Sequence, residues 1–281
     1  MQVASHRPFC VFLNQLSPNA DQKSANDDAR SKGANLMSQE HNTDSPDPIE
    51  HARYDTLETL WQDPAPSLAT RNISRRSKGS GRAVVVGGPD HREIHCESLL
   101  EANVLATLLA DKQRVLDVQE QPGVVAYVDI EGRERTHYFD FLATMRDGRR
   151  IAIAVKPEKR SARLENDFDQ IIRYAGPFAD AYLLVTDASL TEHSVYNAWL
   201  ILAARRDHNP EADAKVSAVA ASLHGQIAIE DLVDACDIGA PAFHAIVRLI
   251  DNGELRLSAP GRIDYGVNVE RCEVENAGAA A

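Results

Sequence analysis

The chain has 281 residues, of which 26% are charged and 43% hydrophobic, and a formal net charge of −12 at pH 7. That length suits about two domains, or one domain with unstructured segments. The acidic balance does not mark a nucleic-acid binder, although one basic patch on an acidic protein can still hold phosphate. Cys10, Cys96, Cys236 and Cys272 are scattered with no metal-ligand spacing, which argues against a zinc site or a disulfide framework and for reduced thiols. No apolar run reaches the length a membrane span needs, and Phe9 to Leu13 is too short for a signal-peptide core. A cytoplasmic protein with no membrane contact is expected.

Residues 1–70 are rich in Ser, Asn, Asp, Gln and Pro, and Gln15 to Asp47 has no sustained hydrophobic period. Such a segment buries too little apolar area to offset its backbone entropy, so disorder is expected. Tyr54, Leu57, Leu60 and Trp61 have helical spacing and suggest a short amphipathic piece. Between Arg71 and Arg82 the charge changes sign: Arg71, Arg75, Arg76, Lys78 and Arg82 come with no intervening acid. This run reads either as a solvated linker or as an arm that lies on DNA phosphates.

From Ala83 the pattern becomes that of a folded α/β core. Ala83 to Val86 reads as a strand stopped by Gly87-Gly88-Pro89, and Glu97 to Asp111 as a helix. Val124 to Ile130 and Arg135 to Met145 read as strands joined at Glu131-Gly132, with a third strand, Arg149 to Val155, after the Asp147-Gly148 turn. A helix over Leu164 to Tyr174, a buried strand over Ala181 to Thr186 and a helix over Ser194 to Arg205 complete this part. After Asn209-Pro210 come helices over Ala212 to Leu223, Glu230 to Cys236 and Pro241 to Asp251, the last with Pro at its start and Asn252-Gly253 at its end. Gln226 to Ile229 is a short extended piece, and Leu255 to Leu257 with Ile263 to Val267 reads as a two-stranded wing. The organisation expected is a disordered segment over 1–70, an α/β core over 71–208 and a winged-helix unit over 209–275.

The candidate chemistry lies in the core. Stepping at about 100° per residue along the helix from Glu97, Val104, Leu105, Leu108 and Leu109 make one apolar stripe, with Glu101 near its middle and Glu97 a turn earlier. A buried carboxylate needs a partner or a metal. For Glu97 a plain role in the first turn, favoured by the helix dipole, explains the residue equally well; Glu101 is placed past that turn. Asp140 stands among Tyr138, Phe139, Phe141 and Leu142, in a strand that disfavours Asp. Lys156 ends the apolar strand Ile151 to Val155 and is followed by Pro157.

These motifs, with Glu120-Gln121-Pro122, Asp147-Gly148-Arg149-Arg150 and Val185-Thr186-Asp187, resemble in order and spacing the catalytic domain of TnsA-like transposon endonucleases. The resemblance covers roughly residues 71–187 and implies a restriction-endonuclease-like fold, a mixed sheet flanked by helices, with a winged helix behind it. It implies that Glu101 and Asp140 ligate Mg²⁺ (or Mn²⁺), that Lys156 is the active-site lysine, that double-stranded DNA is the substrate and that a transposase subunit is the partner. The family pattern before the lysine is an acid or Gln, any residue, then Lys; this chain has Ala154-Val155-Lys156, and Phe139 replaces the usual Pro before Asp140. The Val155 carbonyl or Glu97 is then expected to complete the metal shell. Ala154 also motivates an alternative, a catalytically degenerate nuclease fold kept as a DNA-binding or assembly subunit. A third reading is a transcription regulator, with the α/β core as sensor. In the last long helix Ala245, Ile246, Leu249 and Ile250 are expected in the core, with His244 and Arg248 on an outer, DNA-facing side. The acidic neighbours Glu230, Asp231, Asp234 and Asp237 oppose strong phosphate binding there.

Overall fold

The computed structural model describes residues 63–71 and 81–272. The amphipathic piece around Trp61, the arm residues Arg75, Arg76 and Lys78, and most of the segment expected to be disordered lie outside the described residues. Residues 63–71 correct that expectation at its end. They form an ordered strap: Ala65 bridges in parallel to Arg92, its N–H donating to the His91 carbonyl at 3.1 Å and its carbonyl accepting from Glu93 at 2.8 Å.

A four-stranded mixed sheet carries the core. Its strands β3 (Val115–Glu120), β6 (Phe141–Met145), β7 (Arg150–Val155) and β8 (Ala181–Val185) lie in that order, antiparallel except for the β7–β8 pair. Two hairpins flank it: β1 (Ala83–Gly87) with β2 (Arg92–Cys96), and β4 (Val124–Val128) with β5 (Glu134–Tyr138). The single strand expected over Arg135 to Met145 is therefore two, broken at Phe139-Asp140. Ile94 and Cys96 of β2, and Val115 and Val118 of β3, turn inward.

Helix α1 (Leu99–Ala110) packs on one face of the sheet with α3 (Glu192–Arg206) outside it. Val104, Leu105 and Leu108 of α1 meet Phe141, Ile153 and Val155 of the sheet in one core cluster, to which Trp199 and Leu202 of α3 add cover. Helix α2 (Ala162–Ala175) makes the β7–α2–β8 crossover and covers the other face, where Phe168 and Ile171 pack with Phe139, Ala152 and Ala154. Two-sided cover explains why β7 is apolar at every position from Ile151 to Val155.

The C-terminal part contains α4 (Pro210–Ala221), α5 (Ile229–Cys236) and α6 (Ala240–Asn252), with a small antiparallel sheet of β10 (Leu255–Leu257), β11 (Asn268–Arg271) and β9 (Gln226–Ala228). The second wing strand thus falls after Val267 rather than over Ile263 to Val267, which make the connection. Helix α6 is packed against α3, α4, α5 and β10, and residues 245–249 are all buried. This corrects Arg248. Its side chain is turned inward, donating to the Ala204 and Asp207 carbonyls and pairing with Asp213 at 2.7 Å. A helix surrounded on several sides has no free face at that position, so the DNA contact expected of Arg248 is withdrawn. His244 is partly exposed and bonded to Asp207 at 2.6 Å.

Asp251 joins the two halves. Its carboxylate, 3% exposed, accepts Lys112 at 2.6 Å and both Nε and Nη2 of Arg205, at 2.9 and 2.6 Å. Arg205 also donates to the Leu109 and Ala110 carbonyls at the end of α1, where a cation is favoured. Removing one partner from such a buried network leaves charge uncompensated. Asp251→Ala should cost about 3 kcal/mol in urea unfolding, whereas Arg256→Ala, which removes an exposed pair with Glu270, should cost under about 0.5 kcal/mol.

Candidate active site

The break at Phe139-Asp140 puts Asp140 at one end of the central sheet. Phe139 is wholly buried, stacked on Phe178 at 5.7 Å and edge-on to His137 at 4.8 Å, so it anchors the chain on the α2 side. Asp140 is 6% exposed. Its Oδ2 accepts the Val155 N–H at 2.7 Å, its own N–H donates to the Ile153 carbonyl at 2.9 Å, and its carbonyl accepts from Gln121 at 2.9 Å. Burial pushes its carboxyl pKa up, with Lys156 and the Val155 N–H pulling the other way. Lys156 follows directly on β7 and is held through its N–H to the Val185 carbonyl at 3.0 Å.

Glu101 reaches the same region from α1. The helix begins at Leu99 with Ser98 as N-cap, so Glu101 belongs to the first turn and Glu97 lies outside the helix. Ser98 accepts the Glu101 N–H at 3.1 Å and donates to Glu101 Oε1 at 3.0 Å, while Oε2 accepts the Glu97 N–H at 2.7 Å. This is a capping arrangement. The Ser-x-x-Glu spacing that signals it stands in the sequence as Ser98-Leu99-Leu100-Glu101. Capping does not exhaust the carboxylate, which offers about four lone-pair directions. Burial, and then the charge of Asp140, raise the Glu101 pKa to about 7.

Asp140 is therefore within electrostatic reach of Glu101 on one side and of Lys156 on the other. Among the described residues no three His, Cys, Asp or Glu side chains gather closely enough to hold a metal. The donor set is two hard carboxylates in mutual repulsion, which fits a hard divalent cation that keeps waters and takes a phosphate oxygen. Ala154 has no exposed surface and packs with Phe139, Ala152, Phe168 and Ile171 under α2. A carboxylate at this position would replace part of an apolar core.

Three further residues lie at the site: Gln121 and Glu120, which belong to the Glu120-Gln121-Pro122 motif but carry no assigned role from the sequence, and His137, which the sequence does not mark. Gln121 is 1% exposed and has φ 44°, a left-handed conformation unusual for a residue with a Cβ. Its backbone N–H donates to the Asp140 carbonyl at 2.9 Å, and its side-chain amide lies near enough to the Asp140 carboxyl to pull that pKa down. Glu120 is fully buried; Oε1 accepts from Ser67 of the strap and Oε2 has no hydrogen-bond partner. His137 is 8% exposed with an unpartnered Nε2, and burial followed by the charge of Lys156 lowers its pKa to about 4. All three are brought in by strand pairing and by the strap, which local spacing does not encode.

Of the cations expected on DNA, Arg71 is described and lies at the site. It pairs with Glu97 at 2.8 Å, donates to Gln121 Oε1 at 2.8 Å and stands 5.2 Å from the Tyr138 ring centroid. Arg82 is half-buried just before β1.

Residues 112–183 match the family model described as TnsA-like endonuclease N terminal. This segment is similar to the N-terminal domain of TnsA-like endonucleases. The match spans Gln121, Asp140 and Lys156; Arg71 and Glu101 precede it and reach the candidate site through the strap and through α1. No curated protein matches the chain. Among the described residues no helix is long and apolar enough to cross a membrane.

The buried titratable groups impose opposing pH dependences on stability. Glu101 has a folded pKa above its unfolded value, so the folded state binds the extra proton and stability falls as pH rises from about 4.5 to 7. His137 has a folded pKa below its unfolded value, so stability rises between about pH 4 and 6.5. Each change is at most roughly 3 kcal/mol. In metal-free protein, Glu101→Gln should steepen the gain in stability between pH 4 and 6.5, and His137→Phe should steepen the loss between pH 4.5 and 7. Urea midpoints across that range measure both.

Proposed function

We propose that the chain is a metal-dependent DNA endonuclease that hydrolyses a phosphodiester at the end of a transposon or phage-like element. The observation that carries this reading is the meeting of two buried carboxylates and a lysine ammonium, Glu101, Asp140 and Lys156, at one end of a mixed sheet whose strands lie within a TnsA-like domain. Glu101 and Asp140 would hold Mg²⁺ or Mn²⁺, with the Val155 carbonyl as a third oxygen. A cation held there supplies Lewis-acid stabilisation of the charge that develops on the scissile phosphate. Lys156 contributes a second positive charge on the reacting side and orients a water by hydrogen bonding. Asp140 is positioned for this by the Val155 N–H, which fixes one carboxylate oxygen.

In this reading residues 71–208 form the nuclease domain and residues 209–275 a winged-helix domain, built from α4, α5, α6 and the β9–β11–β10 sheet. The arm residues Arg75, Arg76 and Lys78 with Arg82 contact the DNA backbone, and the complementary strand is cut by a transposase partner.

The buried setting of Ala154 favours a second reading, a degenerate nuclease fold that binds DNA or assembles with a transposase without cutting. The two readings part in a nicking assay on supercoiled and linear duplex DNA with Mg²⁺ or Mn²⁺. The endonuclease reading predicts metal-dependent nicks that fall at least about 100-fold in Asp140→Ala and Lys156→Ala. Equal nicking by wild type and Asp140→Ala rejects the assigned site. Salt-sensitive DNA binding with no nicking selects the degenerate fold.

A further inference from the structure

Contacts around Gln121 link the two acidic residues. The Gln121 N–H donates to the Asp140 carbonyl and its side-chain amide lies beside the Asp140 carboxyl, Arg71 Nε donates to Gln121 Oε1, Arg71 Nη2 pairs with Glu97, and the Glu97 N–H donates to Glu101 Oε2. Arginine is a donor only. With Arg71 docked, the end of the amide that faces it must therefore be the oxygen. The amide nitrogen is left to face Asp140, to which it donates. The backbone of Gln121 is pinned on both sides, its N–H on Asp140 and its carbonyl on the Thr70 N–H at 3.1 Å and Thr70 Oγ1 at 2.7 Å. Only the side chain is free to turn.

A half-turn of that amide exchanges its two ends with almost no change in shape. It would bring a neutral carbonyl oxygen beside Asp140, the kind of hard donor a divalent cation accepts. Ala154 supplies no such atom, and its packing under α2 leaves no polar route from that position. Arg71 has a side chain 38% exposed and its partner Glu97 one 29% exposed, so a phosphate approaching the site can compete with Glu97 for the guanidinium.

We infer that Gln121 is the third side-chain oxygen donor of the metal site and that Arg71, from the strap, controls which end of its amide faces Asp140. The inference rests on the metal-dependent reading above. In the docked state the Arg71–Gln121 bond turns the nitrogen toward the acids and weakens cation binding. When a DNA phosphate takes Arg71 away from Glu97, the amide is released to present its oxygen. Gln121 is then a ligand, Arg71 a positioning residue, and metal loading is coupled to DNA engagement.

The test is a double-mutant cycle read by Mn²⁺ binding calorimetry on the full chain without DNA. Gln121→Gly removes the amide while suiting the left-handed backbone. Removing Arg71 also removes a positive charge, which alone tightens cation binding, so the comparison with and without Gln121 is what decides. Arg71→Ala should tighten Mn²⁺ binding about tenfold when Gln121 is present and only about threefold in Gln121→Gly, and Gln121→Gly should weaken binding more in the Arg71→Ala background than in wild type. Near-UV circular dichroism on each variant checks that the fold is retained. Equal tightening with and without Gln121 overturns the amide mechanism alone. Absence of Mn²⁺ binding in every folded variant overturns the metal-dependent reading and this inference with it.

Discussion

The mutual repulsion of two carboxylates buried at one end of a sheet organises this protein. Glu101 and Asp140 approach each other from a helix and a strand break, and burial raises both pKa values. Such a pair is costly to bury unless hydrogen bonds, a neighbouring cation or a bound ion offsets the charge. Much of the surrounding structure is arranged to hold the pair apart from solvent and in place. Ser98 and the Glu97 N–H bind one carboxylate, and the Val155 N–H and the Gln121 amide bind the other. Lys156 and Arg71 bring positive charge, the first toward Asp140 and the second onto Glu97 at the rim.

The fold explains how so local a site is kept rigid. The sheet is covered on both faces, by α1 and α3 on one side and α2 on the other, so the strand ends that carry Asp140 and Lys156 have little freedom. The strap fastens three of the site's neighbours, with Ser67 on Glu120, Thr70 on Gln121 and Arg71 on Glu97. Asp251 ties α1 and α3 to α6 through Lys112 and Arg205.

Parts of this were legible in the sequence. Asp140 stood out because Asp is unfavourable among Tyr138, Phe139, Phe141 and Leu142, and the structure gives the reason: the strand breaks there. Lys156 was marked by the close of an apolar strand. The apolar stripe points to Glu101 only in part, because the helix begins at Leu99 and the Ser98-x-x-Glu101 cap places that carboxylate in its first turn. Strands β2 and β3 are short and mix charged with apolar residues, so neither reached the threshold of a period-two pattern. Arg248 was misplaced because a helical projection distinguishes two sides and α6 is enclosed on more than two. The strap and His137 are brought to the site by strand pairing and long-range contacts, and the role of Gln121, legible only as part of the Glu120-Gln121-Pro122 motif, depends on contacts such as Arg71–Gln121, fifty positions apart, which spacing within a window does not carry.

The central claim is that Glu101 and Asp140 jointly hold one divalent cation. Anomalous diffraction from crystals soaked in Mn²⁺ tests it most directly. The account predicts a single strong peak in contact with both carboxylates and within reach of Lys156's side of the sheet. A peak held by other residues, or none at either carboxylate in a crystal where Mn²⁺ binds elsewhere, would contradict it.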